Sequence, residues 1–108
     1  MFSNMRIKVY ADTICGWCYI GHSRLLKATG TFKNIIFDFQ HAPFQLNPDM
    51  PKEGMSRLDY LKYKFGSKEL AQPMYDSMNK QAVKENLKFN LNNIQVTPNT
   101  KFSHILTK

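Results

Sequence analysis

The only two cysteines of this 108-residue chain stand three residues apart, in Cys15-Gly16-Trp17-Cys18. Thiol–disulfide exchange needs a thiolate to attack a disulfide sulfur and a second thiol nearby to resolve the mixed disulfide. The spacing meets that need if one sulfur is reachable and the other waits behind it. Gly16 permits close backbone approach, and Trp17 offers a flat apolar surface beside the sulfur on which an unfolded substrate segment could rest. Other chemistries can use the same residues. Cys15, Cys18 and His22 could supply three zinc ligands with His41 or His104 as a fourth, but structural zinc usually takes two ligand pairs, and the sequence has no second C-x-x-C or H-x-x-x-H. A structural disulfide here would close a tiny loop and remove little unfolded-state entropy. Two buried, inert thiols are the remaining alternative. Redox exchange is the leading reading, and His22 reads as a solvent-facing or locally bonded side chain rather than a proton shuttle.

The elements around the motif decide how the sulfurs are held. Arg6 to Asp12 alternates apolar and polar side chains, the pattern of a half-buried strand. Ile14, Cys18, Gly21, Leu25 and Ala28 then recur at three- and four-residue intervals, which predicts a helix ending near Thr29-Gly30 with Cys18 packed inside. Cys15 falls in the first turn, on the neighbouring face with Tyr19, His22 and Leu26, where backbone N–H groups lack intrahelical partners. The helix dipole contributes about 0.3 to 1 kcal/mol, and one pKa unit corresponds to about 1.36 kcal/mol. A lowered but not extreme Cys15 pKa is therefore expected.

Asn34 to His41 is rich in branched and aromatic residues and reads as a second strand, parallel to the first through a right-handed crossover. Ala42-Pro43-Phe44 ends or bends it, because proline cannot donate to a ladder. Asn47 to Gly54 collects turn formers. Ser56 caps a helix with Asp59 at its third position and Leu58, Leu61 and Phe65 as its stripe. Gly66 stops that helix and Ser67 can cap a successor. Pro73 is expected to mark the true first turn of a longer helix reaching about Asn86, with Met74, Met78 and Ala82 inward. Asn90 to Asn93 turns, and Val96 to Thr100 leads into one more helix start. No further strand is predicted.

Length fits one domain, and 43% hydrophobic with 13% aromatic residues suffices for a modest core. The formal charge of +7 is carried mostly by scattered lysine, with Arg6, Arg24 and Arg57 as the arginines. That distribution argues against nucleic acid, where clustered basic residues with base-reading arginine are expected. Met1 to Arg6 leads straight into the first strand without an apolar stretch of signal-peptide or membrane-span length. A cytoplasmic location, without membrane association, is expected. Thiols are usually kept reduced there, which favours a cycling pair over a staple.

Asp12-Thr13-Ile14-Cys15-Gly16-Trp17-Cys18-Tyr19-Ile20-Gly21 resembles the active-site stretch of the FrnE-type branch of DsbA-like disulfide oxidoreductases. Phe44 to Pro48, Tyr60-Leu61 with Lys64-Phe65-Gly66, and Thr97 to Thr100 are similar to other segments of that branch, in the same order. The resemblance implies an α/β, thioredoxin-like fold of DsbA type, with residues 1–46 as the N-terminal half of the thioredoxin-like domain and 47–108 as the start of an inserted helical domain. It implies Cys15 as nucleophile and Cys18 as resolving thiol, supported by Gly16 and Trp17. Protein or small-molecule thiols and disulfides are the implied partners, with no cofactor beyond glutathione as co-substrate. The family usually has proline where this chain has Gly16, a change that implies a different redox poise with exchange chemistry kept. The family's cis-proline loop, later strands and closing helix would follow Thr100, so the resemblance implies that 108 residues cover about the N-terminal half and that this half alone is marginally stable. Glutathione-dependent transferases and 2-hydroxychromene-2-carboxylate isomerases share the overall plan and the Asn99-Thr100 region. They generally place serine where Cys15 stands, so the paired cysteines favour the oxidoreductase; an inactive fragment that retains only packing is the remaining alternative.

Overall fold

The computed structural model describes residues 2–107. β1 (Ser3–Ala11), α1 (Gly16–Thr29) and β2 (Ile35–Pro43) open the chain. The two strands pair in parallel, from Ser3 opposite Ile35 to Ala11 opposite Pro43. This is the strand, helix, strand opening that the change of hydrophobic period predicts. β3 (Met55–Ser56), α2 (Arg57–Phe65), α3 (Lys68–Lys84), a 3-10 turn at Leu91–Asn93, β4 (Val96–Thr97) and α4 (Lys101–Thr107) follow.

The chain divides into two compact units. One runs through Leu46 and takes in the segment from Thr100 onward, and the other is Asn47–Asn99. The last segment therefore groups differently from the expected 47–108. Two long-range bonds tie it there: His104 of α4 bonds Asp12, and Ser103 bonds Thr13.

In the first unit the sheet follows the alternation of its side chains. Ile7, Val9 and Ala11 are half-buried while Arg6, Lys8 and Tyr10 are exposed. Arg6 and Asp38, opposite one another in the ladder, form a 3.1 Å ion pair on the exposed side, where such pairs contribute at most about 1 kcal/mol. Only Ile20 of α1 is fully buried, at 1% exposure. The expected inward stripe through Cys18 and Leu25 is half-buried at best. α1 carries apolar residues on more than one side, so spacing alone does not select the face that is covered.

The second unit gathers Met50, Tyr60, Leu61 and Ala71, with Met55, Phe65 and Tyr75 packed against them. Ser56 caps α2 by accepting the Asp59 N–H at 3.2 Å, and Gly66 closes the helix at φ 92°, a left-handed conformation that favours glycine. α3 begins at Lys68, with Ser67 accepting the Leu70 N–H at 3.1 Å. Pro73 thus lies inside α3 rather than at its first turn. Pro73 and Glu69, the residue whose carbonyl loses its i+4 donor to the proline, are both exposed, and an interruption at the helix surface is tolerated more readily than one in a core.

β3 and β4 were not predicted. They pair antiparallel, Met55 opposite Thr97 and Ser56 opposite Val96, and two residues are too few for a period to register. Around them the Arg57 N–H donates to the Gln95 carbonyl at 2.8 Å, and Asn99 Nδ2 donates to the Met50 carbonyl at 2.7 Å. The two ends of the second unit are thereby clasped together.

Candidate active site

Cys15 is the N-cap of α1, with extended backbone at φ −86° and ψ 109°. Three interactions fix it. Its N–H donates to the Asp12 carbonyl at 3.1 Å, its carbonyl accepts the Tyr19 N–H at 3.2 Å, and its Sγ accepts the Cys18 N–H at 3.2 Å. The sulfur occupies the place usually taken by a serine or aspartate oxygen at a helix start. Gly16 is the first residue of α1, and Trp17, at 40% exposure, leaves part of its ring open to solvent. Both cysteines are free thiols. Both are half-buried, so the expected contrast between a reachable Cys15 and a packed Cys18 is not observed.

The Cys15 thiol is pushed up from its ordinary value of 9.0, opposite to the expected direction. Burial is the largest cause, followed by the hydrogen bond between the two thiols, which favours protonated Cys15. The Cys18 and Trp17 amides pull the other way and are outweighed. The helix start does assist the thiolate, but half-burial beside a second thiol costs it more. Cys15 in the folded chain therefore holds its proton more tightly than in the unfolded chain. Whatever stability this provides is present below pH 9 and lost as pH rises through the folded value. Iodoacetamide labelling of reduced chain, read by mass at Cys15 across pH, should give an alkylation midpoint above 9.0; a midpoint in the neutral range would contradict the burial effect.

A cleft of about 340 Å³ opens at this helix start, with Cys15, Cys18, Tyr19 and His22 on one side and Val9, Ala11, Ala42 and Pro43 among its apolar lining. His22 and His41 approach at 5.4 Å between ring centroids on the same cleft. Cys15, Cys18 and the three histidines thus share one wall system, yet among the described residues no group of three or more His, Cys, Asp or Glu side chains is arranged to hold a metal ion. Among the described residues, no helix is long and apolar enough to cross a membrane.

A family model described as DSBA-like thioredoxin domain matches residues 6–107. The chain belongs to this DSBA-like family. It is similar to a crystal structure of a probable DsbA oxidoreductase from Streptomyces coelicolor, with a TM-score of 0.67 and 33% identity over 80% of this chain and 38% of that one. The chain therefore spans well under half the length of that protein. No curated protein matches. The thioredoxin-like fold class of DsbA type, expected from the motif and its neighbours, is thus the fold of this chain.

In this DSBA-like domain the floor of the cleft holds a pair that the spacing of residues does not reveal. Asp12 and His104 are buried at 4% and 8% exposure. His104 Nε2 lies 3.1 Å from Asp12 Oδ1, and Asp12 Oδ2 accepts the Leu46 N–H at 2.8 Å. Beside them Thr13 and Ser103 hydroxyls bond at 2.6 Å, and Ser103 donates to the Thr100 carbonyl at 2.7 Å. Asp12 reads from sequence as the end of a strand, and His104 as part of a helix too short to show a stripe. Their pairing spans 92 positions, beyond any local pattern. The one local signal is an acidic residue immediately before the turn that carries the cysteines.

Proposed function

We propose that this chain carries out thiol–disulfide exchange through Cys15 and Cys18, with Cys15 as nucleophile and Cys18 as resolving thiol, in the manner of the FrnE-type branch. The observation that carries the reading is the placement of two free thiols at one helix start, with Cys15 Sγ accepting the Cys18 amide. Membership of the DSBA-like family supports it. Cys15 thiolate attacks a substrate disulfide, forms a bond to one substrate sulfur and releases the other as a thiolate. Cys18 then attacks Cys15 Sγ, forming the intramolecular disulfide and expelling the second substrate sulfur. The cysteines are oxidised and the substrate disulfide is reduced; in the reverse direction the oxidised pair accepts electrons from substrate thiols. Glutathione or its disulfide serves as a small co-substrate, and the half-exposed Trp17, which lies between the two cysteines in the chain, lends apolar surface to a larger one.

Titration of reduced chain with equimolar dithiobis(nitrobenzoate) tests the reading. The unsubstituted chain is expected to release two coloured thiolates per molecule. Cys18→Ser should release one and retain a nitrobenzoate adduct visible by mass. One thiolate from the unsubstituted chain, or none, would overturn the assignment.

A further inference from the structure

In the first unit the buried acid and base among the described residues are Asp12 and His104. A buried pair of this kind is weak evidence for stability, because apolar residues of similar volume often serve as well. Its position is more informative. The Asp12 carbonyl accepts the Cys15 N–H, so the carboxylate and the reactive sulfur are fixed to one turn. Asp12, His104, Cys15 and Cys18 line the same cleft, which is large enough to admit water. The other titratable groups facing it are Tyr19, His22 and His41; the two histidines stand against each other, and only Asp12 and His104 are buried.

We infer that the Asp12–His104 pair is the proton-holding device of the Cys15–Cys18 site, taking up the proton that Cys18 must lose when it closes the intramolecular disulfide. The inference rests on the exchange chemistry proposed above. In the mixed disulfide, Cys15 Sγ is bonded to a substrate sulfur and Cys18 carries S–H. The Cys18 proton passes through cleft water to the His104 imidazole, and the Cys18 sulfur bonds to Cys15 Sγ. The bond from Cys15 to the substrate sulfur breaks, and the electron pair leaves on that sulfur as a thiolate, while the proton stays on His104 until cleft water carries it to solvent. Asp12 is the positioning residue: its Oδ1 holds Nε2 and stabilises the imidazolium, while the Leu46 amide holds the opposite oxygen. The raised Cys15 thiol fits the same picture, since the cleft that disfavours charge on one sulfur leaves the step in need of a proton acceptor.

Stopped-flow mixing of reduced chain with equimolar dithiobis(nitrobenzoate) separates capture, the first thiolate released, from resolution, the second. His104→Gln keeps a side chain able to donate to Asp12 but unable to take a proton. It is expected to slow resolution about 10- to 100-fold more than capture at neutral pH, a modest share of what acid–base catalysis contributes. That deficit should shrink as pH rises and hydroxide replaces the imidazole as proton acceptor. Equal slowing of both phases, no slowing, or a deficit constant with pH would overturn the inference. Should His104→Gln fail to fold, the unsubstituted chain decides: resolution must rise by clearly less than tenfold per pH unit below the alkaline range in which thiols ionise, and a full tenfold rise per unit overturns the inference. Two thiolates from the unsubstituted chain with an unaffected His104→Gln would sink this proposal alone, whereas absence of the second thiolate would sink it together with the exchange reading.

Discussion

Cys15→Ser should slow the first thiolate release from an aromatic disulfide by at least about 10³-fold at neutral pH, the scale on which loss of a nucleophile acts. A serine hydroxyl does not ionise in this range and cannot form the mixed disulfide. Cys18 remains in that variant, half-buried and without the N-cap position that turns Cys15 Sγ toward two backbone amides. Any residual reaction should therefore appear as a slow single adduct on Cys18, identified by peptide mass. The comparison with Cys18→Ser is decisive for roles. Fast capture in Cys15→Ser together with a silent Cys18→Ser would exchange the assignments of nucleophile and resolving thiol.

Gly54→Ala is expected to cost roughly 2 to 4 kcal/mol of unfolding free energy, at the upper end of single-substitution effects. Gly54 has φ 83°, and a Cβ there would stand 2.8 Å from the Thr97 carbonyl oxygen and 3.2 Å from Pro98 Cα. Both atoms belong to backbone and cannot swing aside. Thr97 itself is fully buried and accepts from Arg57 Nη1 at 3.2 Å. Arg57 in turn lies over the Tyr60 and Tyr75 rings, 5.5 and 4.9 Å from their centroids. Displacing β4 would therefore disturb the apolar centre of the second unit as well as its ladder. Urea denaturation followed by circular dichroism measures the cost; an unchanged midpoint would show that the turn relaxes without strain.

The opening of the chain was legible because its patterns are long. Seven residues of alternation and a helix with a recognisable end identify β1, α1 and β2, and the cysteine pair falls between them. The capping residues of α2 and α3 were equally readable, since a serine side chain bonding an amide three residues on is a local event. Pro73 misled because its effect depends on which side of the helix faces water, which a single residue does not declare. β3 and β4 were invisible for want of length. Within the site, the cysteines were found by type and spacing, while the direction of the Cys15 shift was not. Spacing places a sulfur at a helix start but does not report how much solvent the surrounding strand ends remove. The pairing of Asp12 with His104 was missed for a different reason: each looks ordinary in its own neighbourhood, and only the folded chain brings them together.

The hydrogen bond from Asn99 to Met50 and the short ladder of β3 with β4 have an entropic consequence for the unit that holds the cysteines. That unit is built from two stretches separated by Asn47–Asn99, and a free tether of such length would oppose their meeting. Pinning the tether at its base shortens the flexible path to the few residues outside the pinned points, and closure entropy depends only on what is left free. The interior from α2 to the 3-10 turn could then be lengthened or rebuilt with little penalty to the encounter of Asp12 with His104.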